Sequence, residues 1–221
     1  MAIGASRRPA ARYPGRVRRR LALACLAFAA LACGRPRGEP SGVFVDPVQQ
    51  PVQTEVSPDD VQQLALSIYE TAAFEPKARY RIAARVLSRE RYYLGWSAEL
   101  APVDLALGWG ELSDPAIDEK VDWYQGSRWY FWKWSEPLAI SDGEIARQSA
   151  NVHVVPATEN VRRALLAIQD DDVIQLSGFL VNIKGSEGQR WQSSLKRTDT
   201  GGGSCEVLYA TELIRRQRVY R

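Results

Sequence analysis

The sequence predicts an α+β fold, and three observations carry that prediction. Helix-capping signals recur at Ser57-Pro58, at Ser141 with Glu144, and at Thr158. Between them lie segments in which apolar residues alternate, at 79–86 and 128–134. Glycines at 185–188 and 201–203 then cut the C-terminal part into short hairpins. The expectation is a single domain over residues 58–221, with three to four short helices and a small antiparallel β-meander or barrel-like sheet.

The elements follow in order. Ser57 caps, Pro58 suits the first helical turn, and Asp59 and Asp60 favour the positive end of the helix dipole, so a helix is expected over 58–72. In RYRIAARV, Tyr80, Ile82, Ala84 and Val86 alternate with Arg79, Arg81, Ala83 and Arg85, which reads as a strand with a basic outer face. Residues 102–107 read as a short helix with Asp104 near its start and glycines 108 and 110 at its end. The segment 128–134 reads as a strand, with Tyr130, Trp132 and Trp134 on one face and Trp129, Phe131 and Lys133 on the other. The box Ser141-x-x-Glu144 opens a helix to 148, residues 152–155 form a short strand ended by Pro156, and Thr158 caps a further helix. An apolar strand over 173–183 with a bend at Gly178, a return over 190–196 and a last strand over 205–211 complete the set.

The N-terminus is a different kind of sequence. Arg18, Arg19 and Arg20 run into twelve apolar residues at 21–32, and Cys33 and Gly34 follow. The run is shorter than the ~20 residues a membrane span needs. A cationic stretch, a short apolar run and a small residue before the cut form an export signal. With Cys at that point the leader resembles a bacterial lipoprotein signal peptide, which implies that Cys33 becomes the acylated first residue of the mature chain. Translation from position 17, with Val17 read as Met, gives a compact leader. Residues 1–32 are thus expected to be a signal peptide, and 33–57 an acylated Cys and a proline-rich tether.

The leader also distorts the charge. The chain has 29 Lys and Arg against 26 Asp and Glu, but seven arginines and no acid fall within 1–32. The mature part is therefore net acidic, at −4. That argues against nucleic acid or an anionic membrane surface as partner. Cys25 leaves with the leader and Cys33 takes lipid, so Cys205 is the one thiol left to the domain and no internal disulfide is expected.

Candidate chemistry is sparse. Cys205 and His153, with Asp199 or Glu206, have the residue types of a thiol hydrolase: nucleophile, base and orienter. His153 is the only His in the chain. Cys205 is expected to begin a strand, which lacks the thiolate-stabilising field of a helix N-terminus, so its expected role is structural. Asp199-Thr200-Gly201 matches the aspartic-protease triplet but has no second copy, and the glycines at 201–203 lack a phosphate-loop context. Asp170-Asp171-Asp172 reads as a solvated turn. One His and one domain Cys argue against zinc, and no cofactor is expected.

The strongest departure from average composition is aromatic, with eleven Trp, Tyr and Phe at 92–134. Trp129, Trp132 and Trp134 are the candidate ligand-binding residues, as a stacking platform for a cell-wall glycan. The C-terminal helix, bent strand and hairpins resemble small barrels of the OB or SH3 kind, a likeness of architecture that implies no function. The expected function is that of a non-catalytic binding or assembly module, exported and held in the cell envelope by an N-terminal lipid, with a glycan or an envelope protein as partner. Glycan binding and thiol hydrolysis through Cys205 and His153 are the alternatives. By resemblance to lipoproteins of two-membrane bacteria, Gly34 after the Cys implies the outer membrane.

Overall fold

The polar residues that matter most in this fold face away from its main core, on strands whose alternate residues fill it. In the computed structural model, residues 34–64, 69, 72–134, 137–196 and 203–221 are described. Cys33, Cys25 and Asp199 lie outside them. Contacts divide the chain into Met1–Arg35 and Pro36–Arg221, and the account below is of the second unit.

The elements are β1 (Glu39–Pro40), β2 (Val52–Thr54), α1 (Pro58–Leu64), β3 (Ala72–Arg91), α2 (Trp96–Leu100), β4 (Val103–Gly108), a 3-10 turn (Gly110–Ser113), α3 (Pro115–Asp118), β5 (Asp122–Gly126), β6 (Trp129–Lys133), α4 (Asp142–Arg147), β7 (Ser149–Pro156), α5 (Glu159–Leu166), β8 (Val173–Gly185), β9 (Arg190–Trp191), β10 (Glu206–Arg215) and β11 (Arg218–Tyr220). Nine strands form one sheet, and β5 and β6 form a separate hairpin. Within the large sheet the pairings run β3–β4, β4–β7, β7–β10, β10–β8 and β8–β3, so five strands make a closed ring of partners. All of these pairs are antiparallel except β7–β10, which is parallel. The α+β class is as expected. The described helices number five, above the expected three to four, and the parallel β7–β10 pair means that the C-terminal strands are not a simple meander.

The ring encloses the main core. Ile82, Ala84 and Val86 of β3, Val103, Leu105 and Leu107 of β4, Val152 and Val154 of β7, Leu176 and Leu180 of β8, and Leu208 and Leu213 of β10 pack together. Helix α5, capped by Thr158 as its sequence predicts, adds Val161, Ala164 and Leu165. Gly178 meets the backbone of Tyr209 so closely that a Cβ would overlap the carbonyl, and β10 bulges opposite, between Ala210 and Glu212.

Three expectations are corrected. The 102–107 segment is strand β4, not a helix. Every residue of it is buried, so the period-two signal was lost, and the helix lies just before it at Trp96–Leu100. The first helix is described over Pro58–Leu64 and does not reach 72, because the segment from Ala72 belongs to the twenty-residue strand β3; residues 65–68 lie outside the described residues. The proline-rich tether is not free of the domain. Glu39 and Pro40 pair with β11, residues 52–54 pair with β3, and the Asn160 side chain bonds both the Arg37 N–H (2.7 Å) and the Arg37 carbonyl (2.9 Å). Proline keeps a segment extended, and an extended segment with alternate free amides can lie along a sheet edge. Among the described residues, no helix is long and apolar enough to cross a membrane.

The 3-10 turn, α3, the β5–β6 hairpin and α4 form an insertion between β4 and β7. It has its own small core of Leu112, Ile140 and Ile145, with Trp123 and Trp132 packed against it. A buried ion pair joins it to β3: Arg85 Nε lies 3.3 Å from Asp118 Oδ2, and the Trp123 indole N–H donates to Asp118 Oδ1 at 2.8 Å. Arg85 is therefore not part of an exposed basic face, although Arg79 and Arg81 are exposed as expected. Burial pushes the Asp118 carboxyl up to about 6, against the pull of the Trp123 hydrogen bond and Arg85. An acid whose pKa rises on folding binds its proton more tightly in the native state, so its penalty is present above about pH 6 and relieved as pH falls towards 4. The urea midpoint of the wild type, relative to that of Asp118→Asn, should rise between pH 7 and pH 4. A difference that is flat with pH would show that Asp118 titrates normally.

Candidate functional site

The site begins with a cross-strand pair. Asp104 of β4 and His153 of β7 stand directly opposite each other in the antiparallel ladder. Both point away from the main core, since their neighbours Val103, Leu105, Val152 and Val154 fill it. Asp104 is 0% and His153 3% exposed. Asp104 Oδ1 lies 2.9 Å from His153 Nδ1, and Asp104 Oδ2 has no hydrogen-bond partner. A buried carboxylate needs a cation, and the insertion supplies one.

That cation is Arg128, at the tip of the β5–β6 hairpin. Ser127 and Arg128 both have positive φ (52° and 69°), and Gly126 pairs with Trp129, which is the geometry of a two-residue type I′ turn. Neither turn residue is glycine, so the tip carries backbone strain of about 1–2 kcal/mol per residue. The contacts of Arg128 hold it there. Its Nη1 donates to Asp104 Oδ1 (2.6 Å) and the Ala101 carbonyl (3.0 Å), and Nη2 donates to Ser97 Oγ (3.2 Å). Its guanidinium carbon lies 3.7 Å from the centroid of the Tyr92 ring and 5.2 Å from that of Trp191. The Arg128 backbone N–H donates to the Tyr92 hydroxyl at 2.9 Å.

Strand β7 fixes the rest of the hairpin. Asn151 Nδ2 donates to the Arg128 carbonyl (2.9 Å), Gln125 Nε2 donates to Asn151 Oδ1 (2.9 Å), and the Tyr130 and Ser149 hydroxyls lie 3.0 Å apart. Burial pushes the Tyr130 phenol up to about 12. Aromatic rings close the other side: Trp191 sits 4.9 Å from the His153 ring and 6.3 Å from Trp96, measured between centroids.

Outside this cluster lies a cavity of about 530 Å³, within the ~300–1,000 Å³ typical of ligand sites. Arg128, Trp129, His153, Arg190, Trp191 and Cys205 are among the residues lining it. The sequence-predicted pair Cys205 and His153 is thus brought to one place, whereas Asp199 lies outside the described residues. The acid beside His153 is Asp104, which sequence reasoning had put at a helix start. Cys205 is a half-buried thiol just before β10; it donates to the Arg128 carbonyl (3.9 Å) and accepts from Asn151 Nδ2 (3.7 Å). Among the described residues, no group of three His, Cys, Asp or Glu is arranged to hold a metal ion.

The predicted aromatic platform is divided. Trp132 is half-buried, packs on the insertion's core and donates to Asp142 Oδ1 at 2.7 Å. Trp134 is 40% exposed, just beyond the end of β6. Trp129, 39% exposed, is the one of the three that lines the cavity, and it lies on the opposite face of β6 from Trp132. Sequence reasoning missed Arg128, Arg190, Trp191 and Tyr92 as site residues. The signal available for Arg128 was Gly126-Ser127-Arg128 between two aromatic pairs, the mark of a tight hairpin. Comparison with known proteins adds nothing to this: no family model matches the chain, and no curated protein or solved structure is significantly similar to it.

Replacing Asp104 by Asn keeps the shape but strands the Arg128 guanidinium, whose side chain is only 18% exposed. Loss of one partner from a buried pair costs about 3 kcal/mol or more. Asp104→Asn should therefore lower the urea-derived stability by about 3 kcal/mol, near the lower end because Arg128 keeps some solvent. A change below ~0.5 kcal/mol would mean that the hairpin tip is held by its other contacts alone.

Proposed function

We propose that this chain is an envelope lipoprotein, acylated at Cys33, whose domain serves as a non-catalytic binding or assembly module. The observation that carries the binding role is the cavity at the hairpin tip. Four separate segments converge there, one of them fixed to β4 by the buried Arg128–Asp104 pair, and they present aromatic and cationic side chains. Such convergence of rigid aromatic anchors and oriented polar groups is what a recognition site requires. The leader and Cys33 support the envelope assignment by resemblance.

The finer reading of the fold agrees with this role. In the ring, β3, β4, β7, β8 and β10 stand as first to fifth strands, with α5 between the third and fourth and a parallel pair between the third and fifth. We read that ring as a small barrel of the OB kind rather than the SH3 kind. Barrels of that kind use the face of strands two and three and the loops after strands one and four to hold oligonucleotides or oligosaccharides. Asp104, Asn151 and His153 occupy that face here, Tyr92 and Trp96 the first of those loops, and Trp191 the second. Trp129 and Trp191 at the cavity favour a glycan.

Two measurements test these readings. The mature N-terminal peptide from membrane-extracted protein should begin at Cys33 with the mass of a diacylglycerol adduct, absent in Cys33→Ala; an unmodified N-terminus refutes the lipid anchor. The thiol hydrolase is tested by iodoacetamide at neutral pH. For a binding module, Cys205 should alkylate at a rate that His153→Ala leaves unchanged within about twofold, since no base activates the thiol. A rate that collapses in His153→Ala would establish a Cys–His pair and overturn the non-catalytic reading.

A further inference from the structure

We propose that the cavity takes a saccharide bearing a carboxylate, with Arg190 as the residue that receives the acid group. This rests on the binding-module reading and names its ligand class. The first observation is the charge of the lining. Arg128, Arg190 and His153 face the cavity, and no Asp or Glu among the described residues does so. Because Asp104 neutralises Arg128, the uncompensated positive charge of the lining is that of Arg190, in a sequence that is net acidic over 33–221.

The two arginines differ in a way that assigns their roles. Arg128 is committed, with Asp104, Ser97 and Ala101 taking its donors and the Tyr92 ring covering one face. Arg190 is exposed at the cavity and makes no ion pair or side-chain hydrogen bond among the described residues. An unengaged guanidinium presents a planar fork of donors that matches a carboxylate in bidentate fashion. Arg128 is thus the scaffold and Arg190 the recognition group.

The aromatics argue for a sugar as the body that carries the acid. Trp129 and Trp191 offer amphipathic ring surface, apolar at the faces with a polar edge, which suits the C–H face of a hexose while leaving its hydroxyls in reach of polar groups. Gln192, also in the lining, is such a group. A second cavity of about 370 Å³ adjoins the first at Arg190 and Gln192 and adds Asn182, Lys184 and Glu75, whose carboxylate is paired with Lys77. Arg190 therefore stands between two adjoining hollows, a layout that fits successive rings of a chain better than a single small anion.

The test uses the mature protein and its tryptophan fluorescence, titrated with the disaccharide of N-acetylglucosamine and N-acetylmuramic acid, with the methyl ester of that disaccharide, and with an eight-nucleotide oligothymidylate. The free acid should bind about ten- to hundredfold more tightly than its ester, the margin of a charged hydrogen-bonded contact. In Arg190→Gln that preference should vanish while ester binding stays as it was; the side chain is exposed, so the thermal midpoint should not move. Equal affinity for acid and ester, or a preference that survives in Arg190→Gln, overturns this inference and leaves glycan binding standing. Tighter binding of the oligothymidylate overturns it in favour of nucleic acid. If neither saccharide binds, the inference and the glycan reading fall together, and the lipid anchor is untouched.

Discussion

The Asp104 carboxylate is the constraint on which the site depends. Strand pairing alone would leave it buried against His153 with no cation, a state that costs several kcal/mol. Arg128 removes that cost, but only if the β5–β6 hairpin lies across β4 and β7 with two non-glycine residues in left-handed conformation at its tip. The favourable ion pair and the strained turn are thus two sides of one arrangement. The Asn151, Gln125, Tyr130 and Ser149 bonds then hold the hairpin at several points along β7, so that the tip is positioned rather than merely attracted. The tip meets Cys205 through the Arg128 carbonyl and Trp191 through the guanidinium, and the cavity opens beside these contacts.

What could be read from the sequence was what is decided locally. The capping box at Ser141 and Glu144 is present in both directions, and the Thr158 cap opens α5 where expected. The alternation in 79–86 predicts β3, and Gly178 stands where the Tyr209 carbonyl leaves no room for a Cβ. Illegible were the elements fixed by distant partners. In β4 Asp104 mimics a helix-capping acid, and only the facing β7 reveals that it sits in a ladder. The parallel β7–β10 pair joins residues some fifty positions apart in sequence, and no periodicity encodes it. The site suffered most. Its residues come from β4, β7, the β5–β6 tip and β9, so no local motif exists to be found, and residue type alone points to Cys205, His153 and Trp129. The acid beside His153 is Asp104 rather than Asp199 or Glu206.

The proline-rich segment shows how composition misleads about packing. Five prolines between 36 and 58 suggest a solvated spacer. Yet sheet edges need extended partners with few competing conformations, and proline supplies both. The strap uses that property at two places, against β11 and against β3, with the Asn160 amide clamping both backbone groups of Arg37 between them and the chain's start. Such a strap loses less conformational entropy on docking than a glycine-rich one would, because proline has already restricted the unfolded chain.

Net charge misleads in the same manner, and for a related reason. A sum over residues 33–221 is acidic, and taken alone it turns attention away from anionic ligands. The field at a site depends on which charges line it and which of those are already neutralised. At this cavity Asp104 spends its charge on Arg128 at 2.6 Å, and other acids among the described residues are paired away from it: Asp172 with Arg215, Glu212 with Arg221, Asp60 with Arg79. Pairing of that kind removes acids from the balance in proportion to the arginines it uses. Arg190 is left over at a concave, aromatic surface, exposed and without a counter-charge among the described residues. A small local excess in a hollow outweighs a larger opposite excess spread over solvated surface. That is why the chemistry of the pocket, and not the charge of the chain, sets the class of ligand.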